Sequence, residues 1–283
     1  MKVLIVGAKG MLGSELVQSL SDTHQVTGTD LEDFDISTQK ETLSALLHIR
    51  PQWVINAAAY TQVDRCEEEI ERAFKVNAEG VKNLALACKE IQARFLHVST
   101  DYVFDGKKQT PYLEEDTPNP LSVYGQSKLE GESCVQDILD DFIIARTGGL
   151  YGQGGINFVH TIVNMAKEKD ELTVVHDQWV SPTCTVDLSN AIATLIRVSP
   201  RGIFHVTNSG RCTWYQFACR ILEIMGSKNK VVPIVSGQLN RPAKRPDFPE
   251  LDCRKFAEVT GMKLRGWEEA LTEYLSWFKE RLK

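Results

Sequence analysis

The chain lacks several features that would identify other classes of protein. Its 32 Lys and Arg residues are outnumbered by 38 Asp and Glu residues, so there is no global basic surface for nucleic acid. No apolar run approaches the roughly 20 residues that a membrane-spanning helix needs. The hydrophobic (42%) and charged (25%) fractions are ordinary for a globular protein and exclude disordered and fibrous classes. We therefore expect a globular protein without nucleic-acid or membrane partners.

Cysteine and histidine also form no recognisable site. The seven cysteines are an odd number, are widely scattered and include no Cys-x-x-Cys pair. Such cysteines are expected to be reduced, packed side chains. The six histidines are equally dispersed, and their spacing is not that of a zinc site. We expect neither a disulfide framework nor a bound metal.

The N-terminal residues form a short apolar segment. After Met1-Lys2 the apolar run is about four residues, whereas a signal-peptide core needs about 7–15. We interpret this segment as the first strand of the fold. We accordingly expect a cytoplasmic protein.

Strand and helix patterns alternate through the first half of the chain. Predicted strands lie at 3–6, 25–29, 53–59, 94–99 and 142–146, and predicted helices at 11–20, 42–49, 73–90 and 123–137. Strict alternation indicates a doubly wound parallel sheet, the Rossmann-type α/β fold. After residue 150 the pattern loosens, which predicts a smaller mixed α/β lobe for the substrate. We assign residues 1–150, together with late elements from about 178–207, to a dinucleotide-binding domain. We assign residues 151–177 and 208–283 to the smaller lobe.

A glycine-rich turn joins the first predicted strand to the first predicted helix. Gly7, Gly10 and Gly13 are spaced G-x-x-G-x-x-G rather than G-x-G-x-x-G. Glycines here let the backbone approach a pyrophosphate at a helix N-terminus. Asp30 follows about 20 residues later, where an acid bonds ribose hydroxyls and favours NADH. Lys9 would suit the 2′-phosphate of NADPH, so the choice between NADH and NADPH stays open.

Tyr124 and Lys128 are one helical turn apart in the helix predicted over 123–137. Residues at i and i+4 share a helix face, so both side chains can reach one pocket. A nearby cation favours phenolate and lowers the pKa of a tyrosine, which suits the phenol to proton transfer near neutrality. The pair alone is a weak signal, and the glycine turn upstream strengthens it.

Further motifs carry a resemblance to a known family. In chain order the glycine turn is followed by Asn56-Ala57-Ala58-Ala59, Asn77, Ser99-Thr100 and Tyr124-x-x-x-Lys128. This set resembles the extended short-chain dehydrogenase/reductase superfamily. The more specific segments are Val98-Ser99-Thr100-Asp101-Tyr102-Val103-Phe104-Asp105-Gly106, Ala59-Tyr60-Thr61-x-Val63-Asp64, Asp177-Gln178…Pro182-Thr183 and Arg241-Pro242. They resemble the dTDP-4-dehydrorhamnose reductase family across essentially the whole chain.

The resemblance implies an activity and a set of site residues. The activity is reduction of the C4 ketone of dTDP-4-dehydro-L-rhamnose with NADH or NADPH, the last step of dTDP-L-rhamnose synthesis for surface polysaccharide. Tyr124 would protonate the developing alkoxide, Lys128 would bond the nicotinamide ribose, and Thr100 would orient the reacting oxygen. The expected cofactor contacts are Gly7, Gly10, Met11, Leu12, Asp30, Asp35, Ile36, Ala57, Ala58, Ala59, Tyr124 and Lys128. The expected substrate contacts are Thr100, Asp101, Tyr102, Gln178, Trp179 and Arg241.

The sequence departs from the family pattern at two places near the expected sugar site. Gly148-Gly149 stands where the family commonly has a small residue and then tryptophan, and Val180 stands where glycine is usual. Our hypothesis is that Trp179 partly replaces the missing aromatic wall. Some members dimerise through magnesium, and Glu15 falls near one such position, but the companion acids are absent from 186–189. We therefore expect no metal and leave a homodimer open.

Two alternatives remain beside the reductase. One is another nucleotide-sugar enzyme of this superfamily, an epimerase or a 4,6-dehydratase. The dehydratases need a glutamate after the Thr-Asp pair, whereas Tyr102 follows Asp101 here. The other is a non-catalytic nucleotide-binding regulatory subunit like that of methionine adenosyltransferase. Such a protein is free to lose its catalytic tyrosine or lysine, and this chain keeps both.

Overall fold

The computed structural model describes residues 1–281, and its strands and helices alternate as the sequence predicts. The strands are β1 Lys2–Val6, β2 Gln25–Thr29, β3 Trp53–Asn56, β4 Arg94–Thr100, β5 Phe142–Thr147, β6 Leu150–Tyr151, β7 Glu171–Val175, β8 Trp179–Val180, β9 Thr183–Cys184, β10 Gly202–His205, β11 Cys212–Thr213 and β12 Lys230–Ile234. The helices are α1 Met11–Ser21, α2 Gln39–Ile49, α3 Val63–Cys66, α4 Ile70–Phe74, α5 Gly80–Ile91, α6 Val123–Ile138, α7 Phe158–Glu168, α8 Thr185–Val198, α9 Trp214–Met225, α10 Arg254–Thr260 and α11 Trp267–Arg281. Within residues 1–281 no helix is long and apolar enough to cross a membrane.

A six-stranded parallel sheet forms the centre of the molecule, in the order β10-β5-β4-β3-β1-β2. From β1 the chain first adds β2 on one side and then builds β3, β4, β5 and β10 on the other. This reversal creates a crevice at the carboxyl ends of β1 and β3, the place where doubly wound sheets bind ligands. The predicted Rossmann-type fold is confirmed.

Both faces of the sheet are covered because successive side chains of a strand point to opposite faces. Val3 and Ile5 of β1 belong to one apolar core, which α1 and α8 cover, whereas Leu4 and Val6 belong to a second core on the other face. On that second face α2, α5 and α6 pack side by side. Burying a leucine-sized side chain contributes about 1.5–3 kcal/mol, so the run of apolar residues in each strand holds the sheet between its helices.

A third apolar core lies in the second half of the chain. It joins α7, α9 and α11 to short two-stranded pairs, β12 with β7, β11 with β8 and β6 with β9. Phe217, Tyr151 and Leu271 are fully buried there. β10 returns to the central sheet beside β5, and α8 packs on α1. The exact division of the chain into two domains stays a prediction.

Two predicted elements have different bounds in the structure. The strand predicted over 53–59 ends at Asn56, because the Asn56 side chain accepts the backbone N–H of Ala58 and turns the chain out of the sheet. The helix predicted over 73–90 begins at Ile70 and contains one π-helical turn, Lys75–Glu79. π-turns of this kind frequently occur at functional sites.

Candidate active site

Two glycines of the turn after β1, Gly7 and Gly13, leave no room for a side chain. Gly7 has a φ of +83°, and a Cβ there would lie 2.6 Å from the backbone nitrogen of Ala58. A Cβ on Gly13 would lie 2.0 Å from the carbonyl oxygen of Gly7. Because α1 follows Gly10 without a side-chain cap, its first N–H groups are available to an anion at the turn. This cradle fits the pyrophosphate of a dinucleotide.

A cavity of about 290 Å³ opens beside this turn at the carboxyl ends of β1 and β3. Its lining includes eight of the predicted cofactor contacts, Gly7, Gly10, Asp30, Asp35, Ile36, Ala57, Ala58 and Ala59. The Asp30 carboxylate accepts backbone N–H groups of Lys9 and Leu31, both at 2.9 Å, which fixes it at the end of β2. The Lys9 ammonium is paired with Glu32 at 3.0 Å.

Met11 and Leu12 are placed differently from the other predicted cofactor contacts. The Leu12 side chain is buried in the core with Leu16, and the Met11 sulfur lies 3.5 Å from the Asn157 amide. Neither residue lines the cavity of about 290 Å³. Any contact they make with a cofactor would therefore come from the backbone of the first helical turn.

Thr100, Asp101 and Tyr124 come together where β4 ends and α6 begins. Thr100 Oγ1 accepts the backbone N–H of Tyr102 at 3.2 Å and donates to the Asp101 carboxylate at 3.0 Å. The rings of Tyr102 and Tyr124 meet edge to face at 5.6 Å. A Cβ on Gly125 would lie 2.3 Å from the carbonyl oxygen of Tyr102, so this glycine allows α6 to approach the end of β4. The predicted catalytic tyrosine and threonine are thus neighbours.

Lys128 is one turn further along α6 and is 2% exposed. Its Nζ donates to the Val98 carbonyl at 2.8 Å and lies 3.2 Å from His97 Nε2. The side chain is directed at β4 rather than at the Tyr124 phenol. Burial lowers the pKa of Lys128 to about 8, against a smaller opposing effect of Glu132.

The acid–base properties of Tyr124 differ from the sequence-based expectation. Burial raises the pKa of Tyr124 above its usual value, and the nearby Asp101 and Tyr102 raise it further, while the hydrogen bond with Thr100 lowers it. The expectation that Lys128 lowers this pKa was wrong for this structure, because burial of the phenol outweighs other effects. The phenol therefore stays protonated at neutral pH. Burial also raises the pKa of Asp101 to about 7.

Asn77 links two parts of the site through its side-chain amide. The amide accepts the Tyr60 backbone N–H at 2.8 Å and donates to the Tyr60 carbonyl at 3.1 Å. It also donates to Ser127 Oγ at 3.0 Å, and Ser127 Oγ donates to the Tyr124 carbonyl at 2.9 Å. The π-turn thus ties the segment after β3 to the turn of α6 that carries Tyr124.

A second cavity of about 340 Å³ contains two of the predicted substrate contacts, Gln178 and Arg241. Arg245 and Lys244 also line it. Asp64 holds the Arg245 guanidinium by two bonds of 3.0 and 2.7 Å. Burial and the neighbouring Arg245 lower the pKa of Arg241. A cavity lined by three cations suits a diphosphate.

The structural role of Asp64 was not predicted from the sequence. Its carboxylate accepts the Ala243 backbone N–H at 3.2 Å as well as the Arg245 guanidinium. Asp64 and Arg245 are far apart in the chain, so no local spacing indicates the pair. The sequence did offer one indication that Asp64 matters, because Asp64 lies in the family-like segment Ala59-Tyr60-Thr61-x-Val63-Asp64.

Trp179 does not line this second cavity. Its ring meets Phe248 edge to face at 6.0 Å, and the Arg211 guanidinium lies 5.1 Å from its centroid. The hypothesis that Trp179 forms a wall of the sugar site stays a prediction, and none of these contacts supports it.

Gly148 and Gly149 leave no room for side chains. A Cβ on Gly148 would lie 2.2 Å from the Asp101 carboxylate. Gly149 has a φ of +57°, and its Cβ would lie 2.5 Å from Val180 Cγ2. The two departures from the family pattern, glycine at 149 and valine at 180, are therefore in direct steric contact.

A buried ion pair supports α6 behind the site. Arg146 and Glu132 are 2% and 0% exposed, and Arg146 Nε and Nη2 donate to the Glu132 carboxylate at 3.0 and 2.6 Å. The Arg146 guanidinium also lies 5.1 Å from the Phe104 ring centroid and 3.5 Å from His205 Nε2. Glu132 is one turn beyond Lys128, so the pair fixes the part of α6 that carries the lysine.

Comparison with known proteins places the chain in a family. The family model described as RmlD substrate binding domain matches residues 1–280. Spore coat polysaccharide biosynthesis protein SpsK of Bacillus subtilis is 40% identical over 97% of this chain and 96% of its own length. The crystal structure of a dTDP-4-dehydrorhamnose reductase from Clostridium acetobutylicum has a TM-score of 0.96 and 43% identity, covering 99% of this chain and 100% of that chain.

A further solved structure comes from Bacillus anthracis, a dTDP-4-dehydrorhamnose reductase in complex with NADP. It has a TM-score of 0.95 and 35% identity, covering 98% of this chain and 99% of that chain. The full-length match and the motifs at the carboxyl ends of the strands agree with each other. The chain belongs to the RmlD family, the dTDP-4-dehydrorhamnose reductases.

Proposed function

We propose that the protein reduces the C4 ketone of dTDP-4-dehydro-L-rhamnose to dTDP-L-rhamnose, using NADH or NADPH. One observation carries this proposal: a phenol that stays protonated at neutral pH is buried beside Thr100, in a fold whose glycine cradle after β1 fits a dinucleotide. A ketone reduction consumes one hydride and one proton. A bound reduced nicotinamide would supply the hydride.

The chain's own residues supply the proton and hold the sugar. Tyr124, whose phenol is protonated at neutral pH, donates that proton to the C4 oxygen as charge develops there. Thr100 orients the same oxygen by hydrogen bonding. Asp101 and Tyr102 adjoin Tyr124 and Thr100 and are placed to bind the sugar hydroxyls.

The nucleotide part of the substrate is assigned to the cavity of about 340 Å³. Arg245 is held by Asp64, whereas the Arg241 guanidinium has no carboxylate within ion-pair distance in residues 1–281. Arg241 would therefore neutralise the diphosphate. Gln178 lines the same cavity and would bind the substrate with Arg241. Tyr102 bridges the two regions because it contacts Tyr124 and interacts with Arg245.

The test is the loss of absorbance at 340 nm after addition of enzymatically prepared dTDP-4-dehydro-L-rhamnose, with NADH and NADPH in turn. We expect Tyr124→Phe to lower kcat about 10²- to 10⁴-fold, since it removes the proton donor. Tyr151→Phe is the matched control, because its buried hydroxyl has no hydrogen-bond partner within the described chain. Turnover by Tyr124→Phe at the wild-type rate would refute the assignment of the donor.

The same assay ranks the cofactors. The Asp30 carboxylate at the end of β2 favours NADH, because a 2′-phosphate would face its charge. Lys9 is already paired with Glu32, so it offers a 2′-phosphate little uncompensated charge. We propose that both cofactors are used. Asp30→Ala should raise kcat/KM for NADPH relative to kcat/KM for NADH.

A second candidate is a related dTDP- or UDP-linked 4-keto sugar. The observation that favours it is the contact between Gly149 and Val180, which changes the wall of the sugar site relative to the family pattern. A protein that binds NADPH but turns over only another 4-keto sugar would support this alternative. Retention of bound NAD with no net change at 340 nm would instead indicate an epimerase.

The location and the assembly of the protein are also proposals. We propose a cytoplasmic enzyme, which agrees with seven free cysteines because free thiols are typical of reducing compartments. A homodimer is the assembly to test, and sedimentation equilibrium of the purified protein distinguishes it from a monomer.

A further inference from the structure

A continuous chain of hydrogen bonds connects the glycine cradle to Lys128. The Ala58 backbone N–H donates to Asn56 Oδ1 at 3.1 Å, and Asn56 Nδ2 lies 3.1 Å from His97 Nδ1. His97 Nε2 lies 3.2 Å from Lys128 Nζ, which also donates to the Val98 carbonyl at 2.8 Å. Asn56 and His97 are fully buried, and Lys128 is 2% exposed. No solvent is needed to complete this chain.

The direction of each bond follows from the first donor. A backbone N–H can only donate, so it fixes the oxygen of the Asn56 amide toward Ala58. The other amide atom is then the NH₂ group, which donates to His97 Nδ1. A neutral imidazole that accepts at Nδ1 carries its proton on Nε2. His97 is neutral because its burial lowers its pKa well below the usual value.

The proton on His97 Nε2 points at the Lys128 nitrogen. An ammonium group has three donors and no acceptor, so a charged Lys128 would place two donors against each other in a buried site. A neutral amine has a lone pair that accepts the Nε2–H while its own N–H donates to the Val98 carbonyl. We propose that His97 is a positioning residue that favours the neutral amine of Lys128 over its ammonium in the free protein.

The charges around Lys128 agree with this assignment. The titratable groups near its side chain are His97 from β4 and Glu132 from its own helix. The Glu132 carboxylate is already paired with Arg146, so it does little to retain a proton on Lys128. Burial of Lys128 acts in the same direction as the His97 N–H.

A functional consequence follows, and it rests on the proposed function. To bond the cofactor ribose as an ammonium, Lys128 has to leave His97 and take one proton from solvent. Above about pH 8, where the amine is the major form, cofactor binding is then coupled to uptake of up to one proton per site. In that pH range His97 helps to keep the positive charge of Lys128 out of the site until the cofactor binds.

The first experiment determines the tautomer of His97 in the wild-type protein without cofactor. Long-range ¹H–¹⁵N correlation spectra of ¹⁵N-histidine-labelled protein distinguish protonated from unprotonated ring nitrogens. We expect a proton on Nε2 and none on Nδ1. A proton on Nδ1, or on both nitrogens, overturns the proposal, and this outcome needs no variant and no substrate.

The second experiment measures the pKa of Lys128 from its side-chain ¹³C resonance, assigned by its loss in Lys128→Met. In His97→Leu the opposing N–H is removed without a change of charge, so we expect the pKa of Lys128 to rise by about one unit, a tenfold gain in proton affinity. If His97 instead accepts from an ammonium, the same substitution removes an acceptor and lowers this pKa. The sign of the shift therefore decides between the two arrangements.

The third experiment titrates the free protein with NADPH in a calorimeter, using buffers of different ionisation enthalpy. The dependence of the measured heat on the buffer gives the number of protons taken up. We expect about one proton for the wild type at pH 9, above the Lys128 pKa of about 8, and a clearly smaller number for His97→Leu. NADPH binding without proton uptake would overturn the coupling, whereas failure to bind NADPH would refute the proposed function and leave the tautomer and pKa results standing.

Discussion

The buried pair of Arg146 and Glu132 gives the sharpest prediction about stability. Arg146 Nε and Nη2 both donate to the Glu132 carboxylate, and neither side chain reaches solvent. Glu132→Gln keeps the size of the side chain but leaves the guanidinium charge uncompensated in the core. Removing one partner of a buried pair typically costs about 3–5 kcal/mol. We expect the free energy of unfolding to fall by that amount.

The assay is equilibrium unfolding in urea, followed by tryptophan fluorescence and by circular dichroism to test for a two-state transition. The matched control is Glu171→Gln, because Glu171 pairs with Lys230 at 3.1 Å on the surface. An exposed pair contributes about 0–1 kcal/mol, so this variant should unfold near the wild-type midpoint. Equal losses in Glu132→Gln and Glu171→Gln would refute the reasoning.

A double replacement separates the effect of an unpaired charge from the loss of packing. In Glu132→Leu with Arg146→Met both charges are removed and the volume is approximately kept. Replacing a whole buried pair by apolar residues is often neutral or stabilising. We expect the double variant to recover most of the stability that Glu132→Gln loses. A double variant as unstable as the single one would mean that the hydrogen-bond geometry, rather than the unpaired charge, dominates.

Three further predictions concern the site. Gly13→Ala places a Cβ against the Gly7 carbonyl oxygen, so fluorescence titration should find NADPH binding weakened at least tenfold. Burial raises the pKa of Asp101 to about 7. The protonated Asp101 therefore stabilises the fold fully below its unfolded pKa of about 3.9, and this stabilisation, on the order of 4 kcal/mol, is lost as pH rises through 7. Asp101→Asn should flatten this pH dependence in urea unfolding, and an unchanged profile would contradict the prediction. Asp64→Asn releases the Arg245 guanidinium, and substrate KM should rise several-fold with kcat nearly unchanged.

Local sequence patterns were sufficient to predict the central fold. The apolar strands of the sheet are nearly continuous because both faces are covered by helices. The end of β3 was misplaced because a side chain, Asn56, turns the chain by bonding the N–H of Ala58. The three alanines that follow look like strand residues in sequence, and only this hydrogen bond distinguishes them.

The sequence predicts which residues lie near one another at the candidate site but not their electrostatics. The spacing of Tyr124 and Lys128 places both residues on one side of α6, and the end of β4 brings Thr100 beside the tyrosine. The pKa of Tyr124 depends on how deeply the phenol is buried, which is a property of the whole fold. The partner of Lys128 is His97, which comes from another strand. Local spacing gives no information about such a contact.

The contact between Gly149 and Val180 has a consequence for how the proposed sugar site can change over evolutionary time. A large side chain at 149 collides with Val180, and the positive φ of Gly149 adds strain of its own. Shortening Val180 alone leaves a void in an apolar core. We therefore expect each single step toward the tryptophan–glycine combination to be harmful, and the double change relieves the collision with Val180 but not the positive φ of Gly149. We expect Val180 and Gly149 to behave as an epistatic pair, so that one substitution at a time seldom changes this wall.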